Sequence, residues 1–129
     1  MEPFEYQPHM PDKVACMSGD ADRLIYFKRT SGSKIPTIVD GDKNFCLLML
    51  YIKTQLENIG LPDLDHIYVN TPFANSKCNQ YLKNNEINHV CIPGGVSKAE
   101  PEARKHIIGA YVESNGQGAI FVNWEELNK

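Results

Sequence analysis

Short apolar runs alternate with polar turn residues through the first forty positions of the chain, which is typical of β-strands. The runs contain Val, Ile, Tyr and Phe, and Gly, Ser and Asp residues separate them. Apolar residues then recur at helical spacing up to Ile59, and Gly60 and Pro62 follow as stop signals. We therefore predict strands at residues 14–17, 24–28 and 35–39 and a helix from about residue 40 to residue 59.

The rhythm changes after Pro62, where short strands alternate with short helices. Predicted strands lie at residues 66–70, 89–92, 108–113 and 119–122, and predicted helices lie at residues 75–84 and 99–106. We place Pro101 in the first turn of the second helix, where proline is tolerated. The pattern predicts an α/β fold with mixed sheets and crossover helices, in parts of two domains, residues 1–61 and 62–129. Residues 1–13 contain three prolines, which predicts an irregular lead-in.

Composition narrows the function classes without choosing one. The 129 residues carry a net charge of −3, which gives no electrostatic footprint for nucleic acid or an anionic membrane. No apolar run approaches the ~20 residues that span a bilayer, and the acidic N-terminus does not resemble a secretory signal. The four cysteines are widely spaced, without a C-x-x-C pair. Their positions in or beside apolar segments favour buried free thiols and a cytoplasmic location.

The first candidate site is the acidic turn, which we define as residues 18–23. Asp20 and Asp22 lie two residues apart between two predicted strands, and Arg23 comes next. Carboxylate oxygens suit Mg²⁺, which often shares its ligands with a substrate phosphate, and a guanidinium can hold a phosphate oxygen. The alternative is an ordinary hairpin turn, since Asp, Gly and Ser favour turns for local reasons. For Asp40 and Asp42 we favour helix capping over metal binding.

The second candidate site is the amide loop, defined as residues 113–118. Glu113 offers two acceptor oxygens, and Asn115 offers both a donor and an acceptor, which is what adjacent sugar hydroxyls require. Two glycines allow the backbone to approach a sugar ring. Taken alone, the Asn-Gly pair more often marks a plain hairpin turn.

Four segments follow one another along the chain: S-G-D-A-D-R at residues 18–23, I-V-D-G-D-K at 38–43, T-P-F-A-N at 71–75 and G-A-Y-V-E-S-N-G-Q-G at 109–118. In this order they resemble motifs of the α-D-phosphohexomutases, and in particular of the phosphoacetylglucosamine mutase branch. That family has D-G-D-x-D-R at its metal loop, followed by I-D-G-D-K, T-A-Y-A-N and G-V-Y-F-E-A-N-G-H-G. The resemblance covers roughly residues 14–122.

The resemblance implies a phosphoryl shuttle that interconverts N-acetylglucosamine 6-phosphate and 1-phosphate through a phosphoserine and Mg²⁺, on the route to UDP-N-acetylglucosamine. It implies metal ligation by Asp20, Asp22 and Ser18, and a catalytic role for Arg23. The substrate-binding residues that it implies are Glu113, Ser114, Asn115 and Gly116. Residues 1–61 would form the end of the metal-binding domain, and residues 62–129 the start of the sugar-binding domain.

The chain also departs from the family pattern. Ser18 replaces the first aspartate of the metal loop, Ser97 stands at a lysine position, and Gln117 stands at a histidine position. No serine lies in a family-like phosphoserine loop, and the phosphate-binding domain has no counterpart. We therefore expect a fragment that is catalytically incomplete.

Two other functions stay open at this point. One is a non-catalytic module that binds a sugar phosphate or a partner. The other is a phosphatase-like enzyme with Asp20 or Asp22 as its nucleophile, which ranks lower because the D-x-D-x-T pattern lacks its threonine.

Overall fold

A computed structural model describes residues 11–129, and its first unit is a three-stranded antiparallel sheet. The strands are β1 (Lys13–Met17), β2 (Leu24–Lys28) and β3 (Thr37–Val39), in the order β1-β2-β3. Val14 pairs with Phe27 and Phe27 with Ile38, so the apolar positions align across the sheet. The predicted lead-in falls mostly on residues 1–10, which lie outside the described residues.

The remaining elements form a mixed sheet with helices on both faces. They are α1 (Gly41–Asn58), β4 (His66–Asn70), α2 (Ser76–Asn84), β5 (His89–Cys91), α3 (Val96–Ala103), β6 (Ile108–Val112), β7 (Gly118–Val122) and α4 (Trp124–Leu127). The strand order is β5-β4-β6-β7, with β4 parallel to β5 and β6, and β7 antiparallel to β6. The predicted α/β class with crossover helices is confirmed.

The alternation of side chains along the strands divides the core into two layers. Tyr68, Ala110 and Val112 belong to the cluster formed with α1 and α2. Their neighbours Val69 and Tyr111 point to the other face, where Ala99 and Ala103 of α3 pack against them. Each central strand is therefore covered on both sides, as expected for parallel strands.

Helix α1 packs against α2 and the second sheet, because Cys46 and Met49 belong to the same buried cluster as Tyr68 and Leu82. The helix ends at a left-handed glycine, Gly60 (φ 79°). The division of the chain at residues 61 and 62 stays a prediction.

Three local expectations were wrong. Helix α3 begins at Val96, so Pro101 lies inside it, where its ring is exposed while Ala99 and Ala103 face the sheet. Helix α4 was missed because it has only four residues, held by an N-cap bond from Glu126 N to Asn123 Oδ1 (3.2 Å). Cys16 and Cys91 are exposed, because β1 and β5 are edge strands. No helix in residues 11–129 is long and apolar enough to cross a membrane.

Candidate functional site

The acidic turn is closed by the hydroxyl of Ser18. The Ser18 oxygen accepts from the backbone N–H groups of Asp22 (3.2 Å) and Arg23 (3.1 Å), and the hydroxyl donates to Asp22 Oδ1 (3.0 Å). Ala21 takes the left-handed conformation (φ 59°) that the turn requires. The turn is therefore a defined structure in which one short side chain satisfies two backbone donors.

The carboxylates of the acidic turn lie close to one another and to Arg23. The pKa of Asp20 lies below its ordinary value. The largest cause is the Ser18 hydroxyl, followed by the backbone N–H of Asp20, the Asp22 side chain and the charge of Arg23. Arg23 Nε lies 3.7 Å from Asp22 Oδ1, and half of the Arg23 side chain is exposed. The turn thus presents carboxylate oxygens beside a half-exposed guanidinium.

The amide loop joins β6 to β7 and is held by its own side chains. Asn115 Oδ1 accepts from Gln117 N (2.8 Å), and Asn115 Nδ2 donates to Glu113 Oε2 (3.2 Å). Gly116 N donates to the Glu113 carbonyl (2.9 Å). Asn115 is exposed and Glu113 is half-buried, so neither side chain belongs to the core.

The two candidate sites, which the sequence separates by about ninety residues, contact each other directly. Gln117 Nε2 donates to Asp22 Oδ2 (3.0 Å), and Leu24 N donates to the Gly116 carbonyl (3.2 Å). Gly116 adopts φ 90°, and a Cβ there would overlap the backbone of Leu24. Glycine is therefore required where the loop crosses the start of β2. The acidic turn and the amide loop form one continuous site.

Asp42 fixes the amide loop to the helices, a role that sequence reasoning missed. Its Oδ2 accepts from the Ser114 hydroxyl (2.7 Å) and from Asn75 N (3.0 Å), while Asp40 alone caps α1 by accepting from Lys43 N (3.1 Å). Asp42 is 1% exposed, and its Oδ1 has no hydrogen-bond partner within residues 11–129. The sequence did carry a signal for this role: Asp42 is a second acidic residue in the first turn of α1, where Asp40 already serves as the N-cap.

The site lies at the carboxyl edge of the parallel strands, where open α/β sheets bind ligands. The loops that follow β4, β5 and β6 meet there: Ser114 Oγ donates to the Phe73 carbonyl (3.3 Å), and a Cβ on Gly95 would lie 3.5 Å from Glu113 Oε1. A cavity of about 360 Å³ opens beside these loops, lined by residues that include Asp22, Arg23, Asn44 and Gly116.

A family model for phosphoacetylglucosamine mutase AMG1, domain III, matches residues 40–129. The chain belongs to the phosphoacetylglucosamine mutase family. The phosphoacetylglucosamine mutase of Oryza sativa subsp. japonica is 37% identical over 119 residues, and that of Saccharomyces cerevisiae is 36% identical over 126 residues. These alignments cover 84% and 92% of this chain but 21% and 22% of the relatives. The chain thus spans about a fifth of the length of the curated phosphoacetylglucosamine mutases that it matches.

Solved structures agree with this membership. The Aspergillus fumigatus N-acetylphosphoglucosamine mutase in complex with GlcNAc-6P and magnesium matches with a TM-score of 0.84 and 29% identity, over 91% of this chain and 22% of that chain. An N-acetylglucosamine-phosphate mutase described as a member of the α-D-phosphohexomutase superfamily matches with a TM-score of 0.80 and 30% identity, over 97% of this chain and 26% of that chain. The resemblance inferred from the four motifs is confirmed.

The oxygen donors of the acidic turn fit a magnesium ion of the kind that this mutase family implies. Mg²⁺ is commonly held by one or two carboxylates together with waters and substrate phosphates, and Asp20 and Asp22 supply two carboxylates. No cluster of three His, Cys, Asp or Glu side chains suited to a metal exists within the described part of the chain. Ser18 already uses its hydroxyl within the turn, so it would have to exchange a hydrogen bond to reach an ion.

Two departures from the mutase pattern have visible consequences. Gln117, at the histidine position, supplies the hydrogen bond that joins the two loops. Ser97 stands at the lysine position, and Lys98 is its neighbour in the chain. The side-chain carbons of Lys98 lie against Gly94, in the loop that follows β5.

Proposed function

We propose that this chain carries the magnesium-binding and sugar-binding parts of a phosphoacetylglucosamine mutase. The enzyme would interconvert N-acetylglucosamine 6-phosphate and 1-phosphate through a phosphoserine. The observation that carries the proposal is the hydrogen bond between Asp22 and Gln117, which places the acidic turn against the amide loop. A sugar phosphate has both hydroxyls and a phosphate, and this junction offers partners for each.

The amide loop would bind the sugar hydroxyls. Glu113 and Asn115 already contact each other, so their acceptor and donor groups are positioned before a ligand arrives. Ser114 holds the loop through Asp42, and Gly116 allows the close approach to Leu24. Such preorganisation reduces the entropy lost on binding.

The acidic turn would serve the phosphate. Asp20 and Asp22 would hold Mg²⁺, and Ser18 would add a third oxygen only by giving up a hydrogen bond. When bound, the ion would neutralise charge on the phosphate. Arg23 would hold a phosphate oxygen with its guanidinium, which suits a fixed fork of two hydrogen bonds.

We expect binding without turnover from the 129-residue chain, because it spans about a fifth of the matching enzymes and has no family-like phosphoserine loop. The use of the Ser18 hydroxyl within the turn favours a second candidate, a sugar-phosphate-binding module that is not catalytic. A cytosolic location, which the four free thiols support, belongs to this proposal.

The test is an NMR titration with N-acetylglucosamine 6-phosphate, with and without Mg²⁺. Amide shifts should appear in residues 109–118 and in the acidic turn. Glu113→Ala should weaken binding by roughly 10- to 100-fold, the loss expected for a hydrogen bond to a charged group. Glu57→Ala, at the opposite end of α1, is the matched control and should leave affinity unchanged. A ligand that shifts no amide in either loop would refute the proposal.

A second measurement separates the enzyme from the binding module. Ser18→Asp restores a third carboxylate and should tighten Mg²⁺ binding several-fold, measured by calorimetry, without producing turnover in a coupled assay for the 1-phosphate. Turnover by the unmodified chain, above that of an Asp20→Ala/Asp22→Ala control, would overturn the expectation of an incomplete site.

A further inference from the structure

Two cysteines meet in the interface between α1 and α2, away from the amide loop. The sulfurs of Cys46 and Cys78 are 2.9 Å apart, and the residues are only 6% and 7% exposed. A disulfide has its sulfurs about 2.05 Å apart, so the two atoms would need to approach by only about 0.9 Å. Cys16 and Cys91 lie on the surface of separate edge strands.

The thiol pair lies one helical turn from the group that anchors the amide loop. Cys46 follows Asp42 by four residues on α1, and Cys78 follows Asn75 by three residues at the start of α2. Residues at these spacings share a helix face. The contact of Cys46 with Cys78 and the hydrogen bond from Asn75 N to Asp42 are therefore successive contacts along one interface. Cys78 Sγ also lies 3.9 Å from the Asp42 carbonyl oxygen.

A cavity gives this pair a route to solvent. Its volume is about 390 Å³, and both cysteines line it together with Lys43 and Lys77. Lys77 is exposed, so its ammonium group suits an oxidant that carries carboxylates, such as glutathione disulfide, whereas the Lys43 ammonium already pairs with Asp40 (3.3 Å). A buried pair without such an opening would be closed to an oxidant of that size.

We propose that Cys46 and Cys78 form a reversible disulfide by exchange with a low-molecular-weight disulfide of the glutathione class. The Cys46 sulfur loses its proton and attacks one sulfur of the oxidant, whose disulfide bond breaks and releases one glutathione thiolate, which takes up a proton in turn. The Cys78 sulfur then attacks Cys46, releases the second glutathione, and gives its proton to a departing thiolate. Two protein thiols are oxidised while one glutathione disulfide is reduced to two thiols.

The environment distinguishes the roles of the two sulfurs. The hydrogen bond with Cys78 lowers the pKa of Cys46, against the opposing effects of burial and of Asp42 and Asp40. The same hydrogen bond, followed by burial, raises the pKa of Cys78. Cys46 is therefore the attacking thiolate, and Cys78 is the thiol that resolves the mixed disulfide.

The disulfide would link α1 to α2 beside Asp42 and so stiffen the support of the amide loop. Closing a loop of about thirty residues should raise Tm by about 10 °C relative to the reduced form. The Asn75 amide, which donates to Asp42, should exchange its hydrogen several-fold more slowly in the oxidised protein.

The test uses the full chain in a Cys16→Ser/Cys91→Ser background, which leaves only the two buried thiols. The protein is equilibrated over a series of reduced-to-oxidised glutathione ratios, alkylated and mapped by mass spectrometry, while circular dichroism verifies the fold. We expect a peptide pair linked through Cys46 and Cys78, with the mass of two hydrogens lost, that an excess of reduced glutathione converts back to free thiols.

Three outcomes would overturn the proposal. The first is a folded protein whose two thiols stay alkylatable across the whole series, and the second is oxidation that stops at a glutathione mixed disulfide. The third is an oxidised form in which the Asn75 amide exchanges at the reduced rate, which would refute the connection to the amide loop. Cys78→Ser, which keeps a hydrogen-bond donor beside Cys46, and Cys46→Ser are compared in the same background. The mixed disulfide should form faster on Cys46 than on Cys78, and equal rates would contradict the order of attack.

Discussion

Replacing Gly41 with alanine should push the amide loop away from the start of α1. A Cβ on Gly41 would overlap the Glu113 carbonyl oxygen and lie 2.8 Å from Gly116 N. The Gly116 amide would have to retreat by 0.6 Å to reach 3.4 Å, where ordinary van der Waals contact begins, and the Glu113 oxygen would have to retreat further. Both obstacles are backbone atoms, so no side-chain rotation relieves them.

The energy follows from this geometry. Overpacking of this kind costs about 1–3 kcal/mol, and loss of the bond from Gly41 N to the Ser114 carbonyl (3.2 Å) adds about 1 kcal/mol. Alanine also lowers the conformational entropy of the unfolded chain, which offsets about 0.4–1 kcal/mol of this loss of stability. We therefore expect Gly41→Ala to lower the free energy of unfolding by about 1–4 kcal/mol.

The assay is urea unfolding, combined with NMR amide shifts in the amide loop. Gly19→Ala is the matched control, because a Cβ on Gly19 meets nothing within 4 Å and the residue has no left-handed φ. The control should lose less than about 0.5 kcal/mol. A Gly41→Ala protein with normal stability and unshifted resonances in the amide loop would refute the close approach on which the site geometry depends.

Two further predictions concern carboxylates. Asp42→Ala should lower the free energy of unfolding by about 2–4 kcal/mol in urea titrations, because it removes the acceptor of two hydrogen bonds. Ser114→Ala removes one of these bonds and should lower the free energy of unfolding by only about 1 kcal/mol. Equal losses in the two variants would contradict the role of Asp42 as the shared acceptor. The pKa of Asp20 is lowered on folding, so its stabilising effect is complete above the ordinary value of 3.8 and is lost as the pH falls through the lower folded value. Asp20→Asn should therefore lower stability in the neutral range and weaken the dependence of stability on pH below 3.8. A variant whose stability falls with acid as steeply as that of the unmodified protein would argue against the lowered pKa.

Local pattern determined most of the elements. The strand β4 falls at the predicted residues 66–70, because period-two alternation and bounding turn residues act over only a few positions. Helix α3 shows the limit of this reasoning: the proline suggested a later start, but Val96 packs against the buried cluster that contains Ala99 and Ala103, and the helix begins there. Packing against the sheet outweighed the local proline signal.

The family membership and the two candidate loops were also available from the sequence, because each motif is a contiguous run of side chains. The contact between the two loops was not available from the sequence. The bond between Asp22 and Gln117 joins positions 95 residues apart, and the bond between Ser114 and Asp42 joins positions 72 residues apart. Neither bond has a local signature.

The sequence by itself thus determined which residue types each loop offers, because turn chemistry and motif spacing are local properties. Only the tertiary structure decided that Asp42 anchors the amide loop and that Cys46 lies beside Cys78. The physical reason is that burial depends on which surfaces of α1 and α2 face each other, and this is decided by how both helices pack on the second sheet. Asp40 and Asp42 read alike in the sequence, yet one caps a helix near the surface and the other is a buried acceptor for two separate loops.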